Sequence, residues 1–286
     1  MENTKKDVFS AQHQARQPGK ESEMNPAPRF DYKNYKAAGK LEGKVAIITG
    51  GDSGIGRAIA ICYAKEGADV AIVHLHEDDD ARETEEQVIM YGGRALNIAA
   101  DLKEESESAG VIDEVIRKFG KIDILVNNVG VQYPQNSILD ITKNQMMHTF
   151  ESNFFSYFYL TKAALPHMGN GGVIINTTSV VAFEGHETLI DYASTKGAIV
   201  AFTRSMALSL VKQGIRVNAV APGPVWTPLI VSSFSAEEVK TFGSNTPMGR
   251  AGEPQEIAPA YVFLASEDSS YISGQVIHVN GGKVIN

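Results

Sequence analysis

The chain has 286 residues, 43% of them hydrophobic and 21% charged, which is enough to bury a large core and typical of a globular protein. Its formal net charge of −8 argues against nucleic-acid binding, because phosphate backbones are bound by clustered Lys and Arg. With Cys62 as the one cysteine, no intrachain disulfide is possible, and the sequence has no His/Cys cluster that would predict a metal site.

The amino-terminal stretch carries no targeting pattern. MENTKKDVFSAQHQARQPGK lacks the apolar region of a signal peptide, and no run reaches the roughly 18 apolar residues of a membrane span. We therefore expect a cytoplasmic protein without a membrane partner. Residues 1–42 are polar and contain three prolines. They predict an extension outside the core, an arm that lies along the domain or along a neighbouring subunit.

From Lys44 onward, short apolar runs alternate with amphipathic stretches of helical length. Runs of Val, Ile and Ala without polar alternation are typical of strands covered on both faces. Strands are predicted over 45–49, 70–75, 95–100, 122–127, 172–178, 215–221 and 275–280, and helices over 55–66, 80–91, 104–119, 143–168, 191–212 and 254–265. Residues 43–286 are therefore predicted to form a single α/β domain of the Rossmann type, a doubly wound seven-stranded parallel sheet with helices on both faces.

A glycine-rich loop, ITGGDSGIGRAIA over 48–60, joins the first predicted strand to the first predicted helix. Glycines at 50, 54 and 56 permit positive φ and close approach of a ligand, and the helix N-terminus that follows attracts a phosphate. A P-loop would need Lys and Ser or Thr where Arg57 and Ala58 stand, so a nucleotide hydrolase is disfavoured. A tight turn without a ligand is the remaining alternative.

A second pattern, YASTK, places Tyr192 and Lys196 one helical turn apart. A phenol has a pKa near 10, and a neighbouring ammonium lowers it. Ser179 follows the strand predicted over 172–178, at the sheet edge where such folds bind ligands. Asn153 lies among phenylalanines in the helix predicted over 143–168, where a buried amide needs hydrogen-bond partners.

Together, TGGDSGIG, Asn153, Ser179 and YASTK resemble the short-chain dehydrogenase/reductase family, in its TGxxxGIG subgroup. The resemblance implies that Tyr192 is the acid/base toward a carbonyl or alcohol oxygen and that Ser179 positions that oxygen. It also implies that Lys196 lowers the tyrosine pKa and binds the nicotinamide ribose, and that Asn153 supports a proton relay through water.

The resemblance also implies an NAD(P)(H) site. NNVG over 127–130 is similar to the family's NNAG, and PGPVWTP over 222–228 to its PG motif. Asp101 stands where the family contacts adenine, and an N-cap for the next helix is an equally good and compatible interpretation. The implied cofactor contacts are Thr49, Gly50, Ser53, Gly54, Ile55, Gly56, His74, His76, Asp101, Leu102, Asn127, Val129, Gly130, Tyr192, Lys196, Pro222, Gly223, Val225 and Thr227.

The choice between NAD and NADP stays open at the sequence level. His74 stands where NAD enzymes of this fold carry an acidic residue, and Leu75 follows where a basic residue would favour NADP. Ser53 replaces the basic residue that some NADP enzymes carry in the glycine loop. His74 and His76 suit either a hydroxyl or a phosphate, and the aspartates at 78–80 are expected to form a solvated helix start.

The chain resembles bacterial general-stress and glucose/ribitol-dehydrogenase-like members of the family in three segments. These are the polar extension, SVVAFEGHETLIDYASTKGA and SYISGQVIHVNGG. The mixture of residues expected at the pocket suits a small polar carbonyl or polyol better than a steroid. The expected pocket residues are Val181, Phe183, Glu184, His186, Gln132 and Tyr133, under a polar, mobile lid over 229–250 with a short helix from Ala236.

The aromatic stripe of helix 143–168 is core by default, but the family pairs subunits through helices 143–168 and 191–212. With the tail 275–286, this implies a homotetramer.

The leading hypothesis is an NAD(P)-dependent oxidoreductase that interconverts a carbonyl (aldehyde, ketone or sugar) and an alcohol by hydride transfer. The alternative is a non-catalytic dinucleotide-binding regulator or scaffold on the same fold. A Rossmann-type methyltransferase is a third, weaker alternative. Turnover across a carbonyl panel discriminates the first two, and preferential binding of S-adenosylmethionine would indicate the third.

Overall fold

The strands form one parallel sheet. In the computed structural model, which describes residues 7–285, the strand order is β3-β2-β1-β4-β5-β6-β7. The strands are β1 (Val45–Thr49), β2 (Asp69–His74), β3 (Ala95–Ala99), β4 (Ile124–Asn127), β5 (Val173–Thr177), β6 (Arg216–Pro222) and β7 (Val276–Val279). All seven predicted strands are confirmed, each within two residues of its predicted ends.

Helices cover both faces of this sheet. They are α1 (Gly54–Lys65), α2 (Asp78–Met90), α3 (Glu105–Phe119), α4 (Lys143–Phe150), α5 (Ser156–Ala164), α6 (Val181–Glu184), α7 (Ile190–Leu210), α8 (Pro228–Val231), α9 (Ala236–Lys240) and α10 (Pro254–Ala265). Ala46 and Ile48 of β1 pack in one core with α1 and α10, and Val45 and Ile47 pack in a second core with α3 and α5. Burial on both faces explains the apolar runs, and the predicted doubly wound fold is confirmed.

One predicted helix is not continuous. The stretch predicted as a helix over 143–168 divides into α4, a π-helical turn at Glu151–Phe155 and α5, followed by a 3₁₀ turn at Leu165–His167. A π turn accommodates one extra residue in the helix and often marks a functional site. Apolar periodicity gave no signal for it, because the extra residue is held by tertiary contacts of Asn153.

The extension, described from residue 7, lies along the domain as an amino-terminal arm (residues 7–42). Residues 1–6 of the predicted extension lie outside the described part of the chain. The expectation that the extension lies outside the core is wrong for Leu41 and Met24. Leu41 is fully buried in the core beside α1, and Met24 is buried with Trp226 in a smaller cluster.

The topology places a ligand site at one edge of the sheet. The strand order reverses between β1 and β4, and in parallel sheets ligands bind in the crevice beyond the carboxyl ends at this switch point. The glycine loop follows β1 there, and NNVG lies at the end of β4. Among residues 7–285, none of the helices combines the length and the apolar character needed to cross a membrane.

Candidate active site

A cavity of about 610 Å³ opens along the carboxyl edge of the sheet. This volume is typical of a small-molecule site. The residues predicted from sequence that line it are Gly50, Ser53, Gly54, Ile55, His74, Asp101, Leu102, Val129, Gly130, Ser179, Tyr192, Lys196, Pro222, Gly223, Val225 and Thr227. Thr49, Gly56, His76, Asn127 and Asn153 are not part of its lining.

Helix α7 brings Tyr192 and Lys196 to the cavity from the same face. The Lys196 Nζ donates to the Thr177 carbonyl at 3.0 Å and lies 5.4 Å from the centroid of the Tyr192 ring. Burial lowers the pKa of Lys196 to about 7. The ammonium therefore stands beside the phenol but is only partly charged at neutral pH.

Burial also acts on the tyrosine. It raises the pKa of Tyr192 to about 12, and a hydrogen bond with the Ser179 side chain opposes the rise. Desolvation of the phenolate outweighs the effects that lower the Tyr192 pKa, and the expectation that Lys196 lowers it stays a prediction. The phenol is protonated at neutral pH.

Asn153 lies behind the cavity wall, fully buried in the π turn. Its Oδ1 accepts from the Val131 amide at 2.7 Å, and its Nδ2 donates to the Val131 carbonyl at 2.9 Å and to Thr195 Oγ1 at 3.2 Å. Thr195 Oγ1 in turn donates to the Tyr192 carbonyl at 2.7 Å. Asn153 thus joins the loop after β4 to the helix that carries Tyr192. Its predicted role in a proton relay stays a prediction.

The glycine loop has the conformation that a phosphate cradle needs. Gly50 and Gly54 have φ of 60° and 53°, a region that L side chains avoid. A Cβ on Gly56 would overlap the Gly50 carbonyl, so this glycine allows α1 to pack directly on the loop. Thr49, a predicted cofactor contact, instead accepts from the amides of Asn128 and Val129 at 2.8 and 3.1 Å. It holds the ends of β1 and β4 together.

A buried carboxylate from the arm supports the loop from behind. Glu21 Oε2 accepts from the Gly54 amide at 2.6 Å, and Glu21 Oε1 lies 2.8 Å from Arg57. Arg57 is 1% exposed and also contacts Asp80 and Glu83. Asp80 therefore points inward, which corrects the expectation of a fully solvated start of α2, because the buried guanidinium draws its carboxylate in. Sequence reasoning gave no signal for Glu21, since its partners lie far along the chain.

At the end of β2, buried polar side chains line the cavity. His74 and Glu77 both line the cavity, and within residues 7–285 His74 Nδ1 and Glu77 Oε1 have no hydrogen-bond partner. Asp52 lines the same end, and burial raises its pKa to about 6. His76, the other histidine predicted to contact the ribose, lies off the cavity. Polar side chains at this position fit the hydroxyls of a dinucleotide's adenosine ribose.

The contacts of Asp101 and Asn127 differ in part from those that the sequence predicted. Helix α3 begins at Glu105 with Glu104 as its N-cap residue, so Asp101 is not the helix cap; its carboxylate instead accepts from the Lys103 amide at 3.2 Å within the preceding turn. Asn127 is fully buried, and its Nδ2 donates to Thr161 and Asn176 at 3.1 and 2.9 Å. Asn127 therefore stabilises the central sheet.

The substrate end of the cavity is lined by Val181, Glu184, His186, Gln132 and Tyr133, as predicted, but not by Phe183. Phe183 stacks edge-on against His278 at 4.5 Å instead. The short helix predicted from Ala236 is present as α9. The lid is less polar than expected, since Val231 and Val239 are fully buried in the cluster around Trp226.

The comparisons with known proteins agree with this geometry. A family model described as Enoyl-(Acyl carrier protein) reductase matches residues 50–283. The chain is 57% identical over 275 residues to General stress protein 39 of Bacillus subtilis, covering 96% of each chain. It is 53% identical over 284 residues to Glucose and ribitol dehydrogenase of Daucus carota, covering 97% of this chain and 98% of that one. Identity to NADPH-dependent aldehyde reductase 1, chloroplastic, of Arabidopsis thaliana is 51% over 282 residues, with 96% and 98% covered.

Solved structures share the fold. A short chain dehydrogenase from Burkholderia cenocepacia in complex with NADP matches with a TM-score of 0.80 at 31% identity, over 85% of this chain and 99% of that one. The 3-ketoacyl-(acyl-carrier-protein) reductase from Brucella melitensis complexed with NADH matches with a TM-score of 0.78 at 34% identity, over 86% and 100%. The predicted resemblance is confirmed, and the chain belongs to the short-chain dehydrogenase/reductase family of NAD(P)(H)-dependent oxidoreductases.

Proposed function

We propose that the protein interconverts a carbonyl compound (an aldehyde, ketone or sugar) and the corresponding alcohol, with NAD(P)(H) as cofactor. One observation carries the proposal: Ser179, Tyr192 and Lys196 line one cavity that extends to the glycine loop, and Asn153 supports its wall. When bound, NAD(P)(H) supplies or accepts the hydride. The glycine loop and the groups at the end of β2 would hold it.

The chain's own part in the reaction is proton transfer and orientation. With a pKa near 12, the Tyr192 phenol is protonated at neutral pH and can donate its proton to a carbonyl oxygen as that oxygen gains negative charge. The Ser179 hydroxyl, which lines the cavity together with this phenol, positions the same oxygen. For alcohol oxidation the phenol must first lose its proton, so we expect oxidation to accelerate with rising pH.

The acidic end of the cavity supports a preference for NAD(H). Asp52 and Glu77 line it beside His74, and a 2′-phosphate would meet the negative charge of Asp52 and that of Glu77, whose Oε1 lies 3.8 Å from the exposed Arg16. Lys103, which also lines the cavity, lies 3.3 Å from Asp101 and is partly neutralised by it. Parallel titrations with NADH and NADPH test this preference, and tighter binding of NADPH would contradict it.

A polyol or sugar-like substrate suits the other end. Gln132 is 4% exposed and lines the cavity, and its Nε2 has no hydrogen-bond partner within the described residues. An amide side chain on the cavity wall favours a ligand that carries hydroxyl groups. The carrot relative is named for glucose and ribitol, and the Arabidopsis relative for aldehydes. A cytoplasmic location stays a prediction.

A homotetramer is the assembly we propose, through the aromatic stripe of the π turn, α5 and α7. The stripe is not core as expected by default: Phe158 is 47% exposed and packs with Phe202 at 5.9 Å, and Phe154 meets Phe202 edge-on at 5.8 Å. An exposed aromatic cluster is typical of a protein interface. Sedimentation at several protein concentrations tests the assembly.

The decisive experiment measures cofactor oxidation with a panel of aldehydes, ketones and sugars. Tyr192→Phe should lower kcat by at least about 100-fold, since general acid catalysis contributes about that much. Tyr271→Phe, at a fully exposed tyrosine, is the matched control and should retain activity. Turnover that survives Tyr192→Phe unchanged would disprove the proposed mechanism.

A further inference from the structure

The amino-terminal arm crosses the lid and is joined to it by main-chain hydrogen bonds. The Val8 amide donates to the Lys240 carbonyl at 2.6 Å, and the Gln14 amide donates to the Val231 carbonyl at 2.7 Å. The His13 ring nitrogen Nδ1 lies 2.8 Å from the Phe234 carbonyl oxygen. The arm therefore contacts the lid at three separate places along 231–240.

Apolar packing reinforces these contacts. Phe9 stacks on Trp226 with ring centroids 3.8 Å apart and an interplanar angle of 9°. The Trp226 Nε1 donates to the Pro26 carbonyl at 2.9 Å, and Met24 is buried in the same cluster as Trp226 and Val231. Aromatic and aliphatic burial of this kind stabilises the docked arm, so the contact is part of the folded core.

Gln17 lines the cavity together with Pro18 and Gly19 of the arm, and its side chain bridges two of the cavity walls. Its Nε2 donates to the Gln132 carbonyl at 2.6 Å and to the Ser232 carbonyl at 3.3 Å. Its Oε1 accepts from the Gln132 amide at 3.2 Å. Gln132 belongs to the loop after β4, next to the residue that Asn153 holds, and Ser232 ends the first helix of the lid. One side chain thus joins the lid to the fixed wall of the site.

We propose that Gln17 is a positioning residue of the substrate pocket, through which the arm holds the lid against the loop after β4 and sets the width of the pocket. The effect of Gln17 on the lid follows from the hydrogen bonds described above, and its effect on substrate binding rests on the proposed function. A lid joined to the domain in this way is ordered before substrate arrives, so substrate binding has less conformational entropy to remove.

The orphan donor on Gln132 supports this assignment. Gln17 holds the Gln132 backbone through both its amide and its carbonyl, which leaves the Gln132 side chain on the cavity wall with its Nε2 unpaired within residues 7–285. A shift of this backbone moves a side chain of the cavity wall. Gln17 therefore acts on substrate through Gln132.

Hydrogen exchange of the full-length protein tests the lid independently of turnover. Gln17→Ala should increase amide exchange in 228–234 with saturating NADH present, while exchange in β1 and β4 stays unchanged. Gln17→Glu keeps the acceptor for the Gln132 amide but presents a carboxylate to two carbonyls, so it should behave like Gln17→Ala. Gln12→Ala is the matched control, because Gln12 is a half-buried glutamine of the same arm whose side chain bonds within the arm.

Steady-state kinetics test the effect on substrate. For Gln17→Ala we expect KM for the best carbonyl substrate to rise about tenfold, because the three side-chain hydrogen bonds that hold the pocket walls together are lost, with kcat and NADH affinity within about twofold. An equal loss of kcat, NADH affinity and global stability would show a merely structural role and overturn the proposal. Unchanged exchange in 228–234 would also overturn it. If the wild type turns over no substrate, the proposed function fails, and the exchange comparison still decides whether Gln17 holds the lid.

Discussion

The carboxylate of Glu21 accepts a hydrogen bond of 2.6 Å from the Gly54 amide, so a residue of the amino-terminal arm supports the glycine loop from the side opposite the cavity. The same carboxylate faces Arg57, which also contacts Asp80 and Glu83. Because three carboxylates surround the Arg57 guanidinium, replacing any one of them leaves Arg57 with two ion-pair partners. The contact with the Gly54 amide has no such substitute.

Replacing Glu21 should therefore destabilise the protein through the loop. Glu21→Ala leaves the buried Gly54 amide without an acceptor, and we expect the free energy of unfolding to fall by about 2 kcal/mol. Glu21→Gln keeps an acceptor oxygen and should lose much less. Urea unfolding measures both, and Glu23→Ala, at the exposed neighbouring glutamate, is the control. Equal stability of Glu21→Ala and Glu23→Ala would contradict the assignment.

Stability should also depend on pH through this cluster. Burial raises the pKa of Glu21 from 4.5 to about 7 and that of Asp52 from 3.8 to about 6. The folded state thus binds more protons than the unfolded chain between about pH 4 and 7, so the free energy of unfolding should decrease as pH rises through this window. For Glu21 the change is at most about 3 kcal/mol, since one pKa unit corresponds to about 1.4 kcal/mol.

Glu21→Gln removes one of these titrating groups. Its stability should decline less than that of the wild type between pH 5 and pH 8, as measured by urea unfolding at four pH values. A wild-type profile that rises over this range, or one identical to that of Glu21→Gln, would show that Glu21 is ionised in the folded state at low pH.

Gly56 should not tolerate a side chain. A Cβ at this position would overlap the Gly50 carbonyl, so Gly56→Ala must push α1 away from the loop and should lower the free energy of unfolding by about 2 kcal/mol. Affinity for NADH should fall as well. Gly110→Ala is the control, since α3 has open space there and a helical alanine should add up to about 1 kcal/mol. Calorimetry and NADH titration of both variants decide the point.

Loss of Asn153 should affect both stability and turnover. Asn153→Ala leaves the amide and carbonyl of Val131 without these partners, which should cost about 2–4 kcal/mol of unfolding free energy. The loop after β4 also loses its tie to the helix of Tyr192, so kcat should fall. Asn144→Ala, on the exposed side of α4, should change neither. Full activity of Asn153→Ala would show that the tie is dispensable.

Local patterns carried the prediction of the fold and of much of the site. Apolar runs predicted the strands, because parallel strands are buried on both faces. TGGDSGIG and YASTK predicted residues of the cavity wall, because the residues of each motif lie within a few positions of one another along the chain. These features depend on neighbours a few residues apart. They can therefore be read from one segment at a time.

Tertiary structure decided the features that depend on distant partners. Gln17 meets Gln132 across 115 positions and Glu21 meets Gly54 across 33, so no local pattern marks the arm as part of the site. The π turn at Asn153 depends on Val131 and Thr195. The raised pKa of Tyr192 and the lowered pKa of Lys196 follow from burial, which is set by everything packed around a side chain rather than by its place in a motif.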